Sequence, residues 1–237
     1  MRCVIVLSAW LASTALAFGA EAGNLAALMP AMGPIMGNLR TAASYARTGN
    51  IALAQMENEE AVAAWRKLQE TAAVVALPGD ELAEFLATGG ARLAAITQAL
   101  DGGDNAAARR ELLALRQSFH ELRRRSGFYD LGDCVFEIAP AMENLRVAAA
   151  RFGEQPTAAH AGDAIATAGA FRDRLQRCND WASAEVSAQV EFRRLIDGAI
   201  ASSGELARAV MSGDAPLAHR YLIELQSYAQ LLDFRYG

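Results

Sequence analysis

The side chains able to do chemistry in this chain are few, and most are soft or neutral. Met29, Met32 and Met36 recur at three- and four-residue spacing, which on a helix sets three thioethers along one face. Together with His120 they form a donor set suited to Cu(I), so copper capture is one expectation. Of the cysteines Cys3, Cys134 and Cys178, none has a histidine at metal-ligand spacing, which argues against a thiolate metal site. His160 and His219 have no acid or serine arranged around them and read as structural or surface residues. Glu57, Glu59 and Glu60 form an acidic run near a helix start, more suited to the helix dipole than to acid/base work. The Asp101-Gly102-Gly103-Asp104-Asn105 run lacks the spacing and terminal glutamate of a calcium loop and reads as a turn. The sequence contains no Glu-x-x-His, glycine-rich phosphate loop or nucleophile elbow, and no enzymatic activity is expected from it.

The elements that must position these residues are helical. With 53% apolar and 21% charged residues among 237, disorder is excluded, and six prolines and 7% aromatics argue against a β-sandwich. A net charge of −5, with Lys67 the only lysine among 22 basic residues, leaves nothing to track a phosphate backbone, so nucleic acid is not an expected partner. Residues 1–19 have the form of a signal peptide: Arg2, an apolar run too short to cross a bilayer, and small residues at Ala15, Ala17 and Gly19. A periplasmic protein without a membrane span after cleavage is therefore expected. Apolar residues such as Leu112, Leu115, Phe119 and Leu122 then repeat with helical period. The pattern predicts helices over 25–46, 51–75, 80–100, 104–125, 131–152, 157–177, 181–211 and 215–234. Trp65, Trp181 and Phe192 read as core or inter-bundle contacts.

An internal repeat organises these helices. Pro34-Ile35-Met36-Gly37-Asn38-Leu39-Arg40 returns as Pro140-Ala141-Met142-Glu143-Asn144-Leu145-Arg146, an offset of 106. Gly103-Asp104 with Leu112–Leu115 returns as Gly213-Asp214 with Leu222–Leu225, an offset of 110. Similar offsets at the first and fourth helices indicate a duplicated unit. The expected fold is all-α, two tandem antiparallel up-down-up-down four-helix bundles over 20–127 and 128–237. Antiparallel helices then bring Cys134 and Cys178 to similar height, and in an exported chain a disulfide is expected. Two separate buried thiols are the alternative.

Met32-Gly33-Pro34-Ile35-Met36-Gly37-Asn38-Leu39 resembles the first-helix pattern of cytochrome c prime proteins, and Ser118-Phe119-His120-Glu121-Leu122-Arg123 resembles their haem-attachment helix. The CxxCH motif of that family would fall on Arg116-Gln117-Ser118-Phe119-His120, where both cysteines are missing, so covalent attachment is not implied. The similar periplasmic four-helix-bundle cytochromes b hold haem through a methionine and a histidine. That resemblance implies one noncovalent haem b in the first bundle, with His120 and Met32 as iron ligands, and a role in electron transfer or haem carriage with a periplasmic redox partner. Ile138 replaces the methionine in the second bundle, which implies no haem there. The other reading is a haem-free binding or scaffold module that uses the bundle to recognise a protein or small ligand.

Overall fold

The computed structural model describes residues 9–75 and 80–237, and for residues 9–24, 75 and 80 the backbone alone. The chain is all-α, with no strand among the described residues. It divides into two compact units, Met1–Phe128 and Tyr129–Gly237. The first contains α1 (Ala9–Thr48), α2 (Ile51–Val75), α3 (Asp80–Asp101) and α4 (Asn105–Arg125). The second contains α5 (Leu131–Phe136), α6 (Ile138–Glu154), α7 (Ala158–Trp181), α8 (Ala184–Ser187), α9 (Val190–Met211) and α10 (Ala215–Tyr236).

Within the first unit, helices adjacent in sequence pack together and α4 returns to α1. Asn58 pairs with Thr97, and Gln55, earlier in α2, pairs with Asp101, later in α3, so the two helices run antiparallel. Leu28, Met32, Ile35 and Leu39 of α1 meet Leu68 of α2, Ile96 and Leu100 of α3, and Leu112, Leu115 and Phe119 of α4 in one core. In the second unit α6, α7, α9 and α10 enclose the corresponding core, from Met142 and Leu145 to Phe171, Phe192, Leu195 and Leu225.

The duplicated punctuation has duplicated geometry. Gly103 and Gly213 adopt φ of +72° and +77°, a region favourable to glycine, and so end α3 and α9. Asp104 and Asp214 then accept from Ala107 N and Leu217 N, each at 2.9 Å, to cap α4 and α10. These caps satisfy amides that a helix start otherwise leaves open.

Three helix boundaries differ from expectation. The first eight residues of the expected signal segment lie outside the described residues, and the backbone is already helical at Ala9, well before Leu25. The alanine- and leucine-rich run has high helix propensity, which accounts for this extension. The helix expected over 131–152 breaks at Glu137 into α5 and α6. In an unbroken helix the Pro140 ring would meet the carbonyl of Phe136, and the break removes that clash. Finally, the helix expected from Trp181 begins only at Val190; Trp181 instead ends α7, and Ser183 Oγ caps the one-turn α8 by accepting from Val186 N at 3.2 Å.

Cys134 of α5 and Cys178 of α7 form a disulfide, with Cα atoms 5.4 Å apart and a sequence separation of 44. Beside it Arg174 of α7 pairs with Glu137 at the α5–α6 break, and Glu137 also accepts from Tyr129 Oη at 3.1 Å. Burial and the adjacent Glu137 carboxylate push the Tyr129 hydroxyl up to about 12. No helix among the described residues is long and apolar enough to cross a membrane.

Candidate functional site

Met32 lies where the α1 periodicity places it, inside the first core. Pro30 and Pro34 stand on the exposed side of the same helix, so the kink-prone residues leave the Met32 side chain directed inward, 1% exposed. Its counterpart at the repeat offset, Ile138, is also 1% exposed and also a core residue. The duplicated scaffold thus uses one position twice for apolar packing, once with a thioether and once with a hydrocarbon.

His120 is a buried residue of α4, flanked at helical spacing by Arg116 and Arg123, which are also buried. Arg123 Nη1 donates to Met29 Sδ at 3.3 Å. The guanidinium occupies one of the two lone pairs of that thioether. Met36 remains partly buried at the core margin. Among the described residues no cluster of three or more His, Cys, Asp or Glu could hold a metal ion.

The core that contains Met32 also contains three large aromatic side chains. Trp65 of α2, Phe85 of α3 and Phe119 of α4 form a mutual cluster, with ring centroids 5.6, 5.8 and 5.0 Å apart. Two of the three contacts are edge-on, the arrangement favoured by ring quadrupoles. Gly89 makes this cluster possible: an added Cβ there would stand 2.5 Å from Trp65 Cζ2 and collide with the end of the ring. Met32 therefore shares its core with an interlocked indole and two phenyl rings.

An opening adjoins this cluster at Trp65. A groove of about 610 Å³ runs along the α2–α3 seam, walled by Val62, Trp65, Leu93 and Ala94. Arg66, Gln69, Gln98 and Asp101 provide polar groups along its rim. Trp65 is 3% exposed, and its Nε1 is buried without a hydrogen-bond partner. Asn58 donates to Thr97 Oγ1 at 2.8 Å, Thr97 Oγ1 donates to Leu93 O at 3.0 Å, and Gln55 Nε2 donates to Asp101 Oδ1 at 3.0 Å. The Asn58–Thr97 and Gln55–Asp101 bonds hold the two helices together at one end of the groove. Periodicity marks Trp65 as a core residue but does not distinguish it from any other apolar position; the paired Gly89-Gly90 inside a helix is the sequence signal of close approach.

A smaller hollow of about 180 Å³ lies between α3 and α4, where Arg125 bridges to Glu81 at 2.7 Å and Glu84, Glu121 and Ser118 complete a polar lining. His160 Nδ1 lies 2.8 Å from the Gln155 carbonyl at the start of α7, and His219 is exposed on α10. Glu59 and Glu60 are exposed, as a solvated run should be. Phe192 is fully buried, but Trp181 is 51% exposed and meets Tyr129 edge-on, a correction to its reading as a core residue. Its place at the last residue of α7 leaves one side of the indole uncovered. No family model, curated protein or solved structure matches the chain.

Proposed function

We propose that the chain is an exported, haem-free binding protein in which the first bundle carries the ligand site and the second is a covalently stapled scaffold. The observation that carries this reading is the α2–α3 groove, where apolar walls lie beside the buried, unpaired Trp65 N–H. Such a combination of concave apolar surface and a few polar groups suits ligand binding. The close packing of Trp65, Phe85 and Phe119 in the core that holds Met32 favours this reading over iron ligation. A disulfide in the second unit supports export, since such bonds persist in oxidising compartments.

The test is spectroscopic. Protein purified from a periplasmic host supplied with haem is expected to be colourless, to contain no stoichiometric copper, and to leave the absorbance of added haemin unperturbed. Met32→Ile, which installs the second unit's residue, is expected to change stability by less than about 1.5 kcal/mol and to have no spectral consequence. A stoichiometric Soret band that disappears in both His120→Ala and Met32→Ile would overturn the haem-free assignment.

A further inference from the structure

We propose that the α2–α3 groove binds a small monocarboxylic acid with an apolar tail, its carboxylate received by the Trp65 indole N–H beside Arg66. This rests on the binding-protein reading and supplies the chemistry of the ligand. The groove's volume of about 610 Å³ lies within the roughly 300–1,000 Å³ typical of small-molecule pockets. Val62, Leu93, Ala94 and the indole itself offer hydrocarbon to a tail.

The polar end is defined by Trp65. Indole Nε1 is a donor only, and leaving such a group buried and unpaired is destabilising. A ligand acceptor removes that cost. A Cβ added at Gly90 would stand 3.6 Å from Nε1, and Gly90 itself lines the groove, so the missing side chain leaves the donor's edge next to the ligand space. Arg66 and Gln69 follow Trp65 on α2, and both line the groove. Asp101, at the far end, is about 16 Å further along α3 from Gly90. An anionic head is thus favoured beside Trp65 and Arg66, and repelled from the Asp101 end. The Asn58–Thr97 and Gln55–Asp101 bonds clamp the seam near Asp101. A small separation of α2 from α3 at the Gly90 end lets a carboxylate oxygen reach Nε1.

The experiment is a titration of the full chain with octanoate, followed by two-dimensional ¹H–¹⁵N NMR of the indole N–H signals. Trp65→Phe identifies the Trp65 signal, with circular dichroism to check its fold. The Trp65 N–H is expected to move downfield and saturate while the Trp181 indole signal stays in place. Arg66→Gln, a change at an exposed residue, is expected to weaken binding about threefold. Gly90→Ala, whose new methyl group stands at ordinary contact distance from Nε1, is expected to suppress the shift without loss of helicity. Octylamine and 1-octanol distinguish the head group. If either moves the Trp65 signal as strongly as octanoate, the carboxylate assignment is overturned while the groove stands as a binding site. If none of the three moves it, the groove is not a site for apolar ligands, and the binding-protein reading loses its principal support. Haemin binding at His120 would defeat the haem-free reading separately.

Discussion

In the first unit the large aromatic of the second helix turns toward the third: Trp65 lies on Gly89 and joins Phe85 and Phe119. In the second unit Phe171, at the repeat offset, remains in the central core, and it is Tyr228 of α10 that lies on the glycine of the third long helix, with its Oη 2.6 Å from the position of a Cβ at Gly198. The α2–α3 seam is the more sparsely packed, while α7 and α9 meet closely. The second unit also carries the disulfide and the Tyr129–Glu137–Arg174 cluster. One duplicated scaffold has therefore acquired a groove in one copy and a staple in the other. The comparison teaches that the site follows from which helix sends an aromatic ring onto a glycine, a relation between helices and not a motif within one.

Breaking the first half of that comparison should have the largest effect. Trp65→Ala removes the centre of an aromatic cluster and is expected to cost about 3–5 kcal/mol in urea unfolding. Hydrogen exchange should increase in α2 and α3 and leave α7 and α9 unchanged. Breaking the second half should come next: Cys134→Ser with Cys178→Ser opens a closed loop and is expected to cost about 4 kcal/mol by loop entropy. Here the faster exchange should appear in α5 and α7, with α2 and α3 unaffected.

The smallest effect sharpens the comparison through pH. Tyr129 has a folded-state pKa raised to about 12 from an unfolded value near 10. Its contribution to stability is therefore fully present below pH 10 and is lost as pH rises through 10 to 12, because deprotonation favours the unfolded chain. Alkaline denaturation should show this loss, and Tyr129→Phe should flatten it; an identical slope in the variant would remove Tyr129 as the responsible group.

Much of the scaffold was legible in the sequence because it is written locally. Leu112, Leu115, Phe119 and Leu122 mark the buried face of α4, and Asp104 and Asp214 beside their glycines mark two helix starts with the same geometry. The pairing of Cys134 with Cys178 followed from helix length and antiparallel order. The α5–α6 break was less visible, since Pro34 at the equivalent place is accommodated in a continuous α1 while Pro140 follows a break. The groove was the least legible feature. It depends on Trp65, Gly89 and Gly90 meeting across two helices and on an indole N–H left without a partner, neither of which periodicity encodes. The resemblance to bundle cytochromes instead drew attention to Met32 and His120, one a core filler shared in position with Ile138 and the other a buried residue set between two arginines.

The most direct test of the asymmetry between the units is hydrogen exchange mass spectrometry of the intact protein with and without octanoate. Faster exchange is expected in residues 59–72 and 86–98 than in residues 164–178 and 192–206, with octanoate slowing only the first pair. Equal exchange in the two seams, or slowing confined to the second pair, would contradict it.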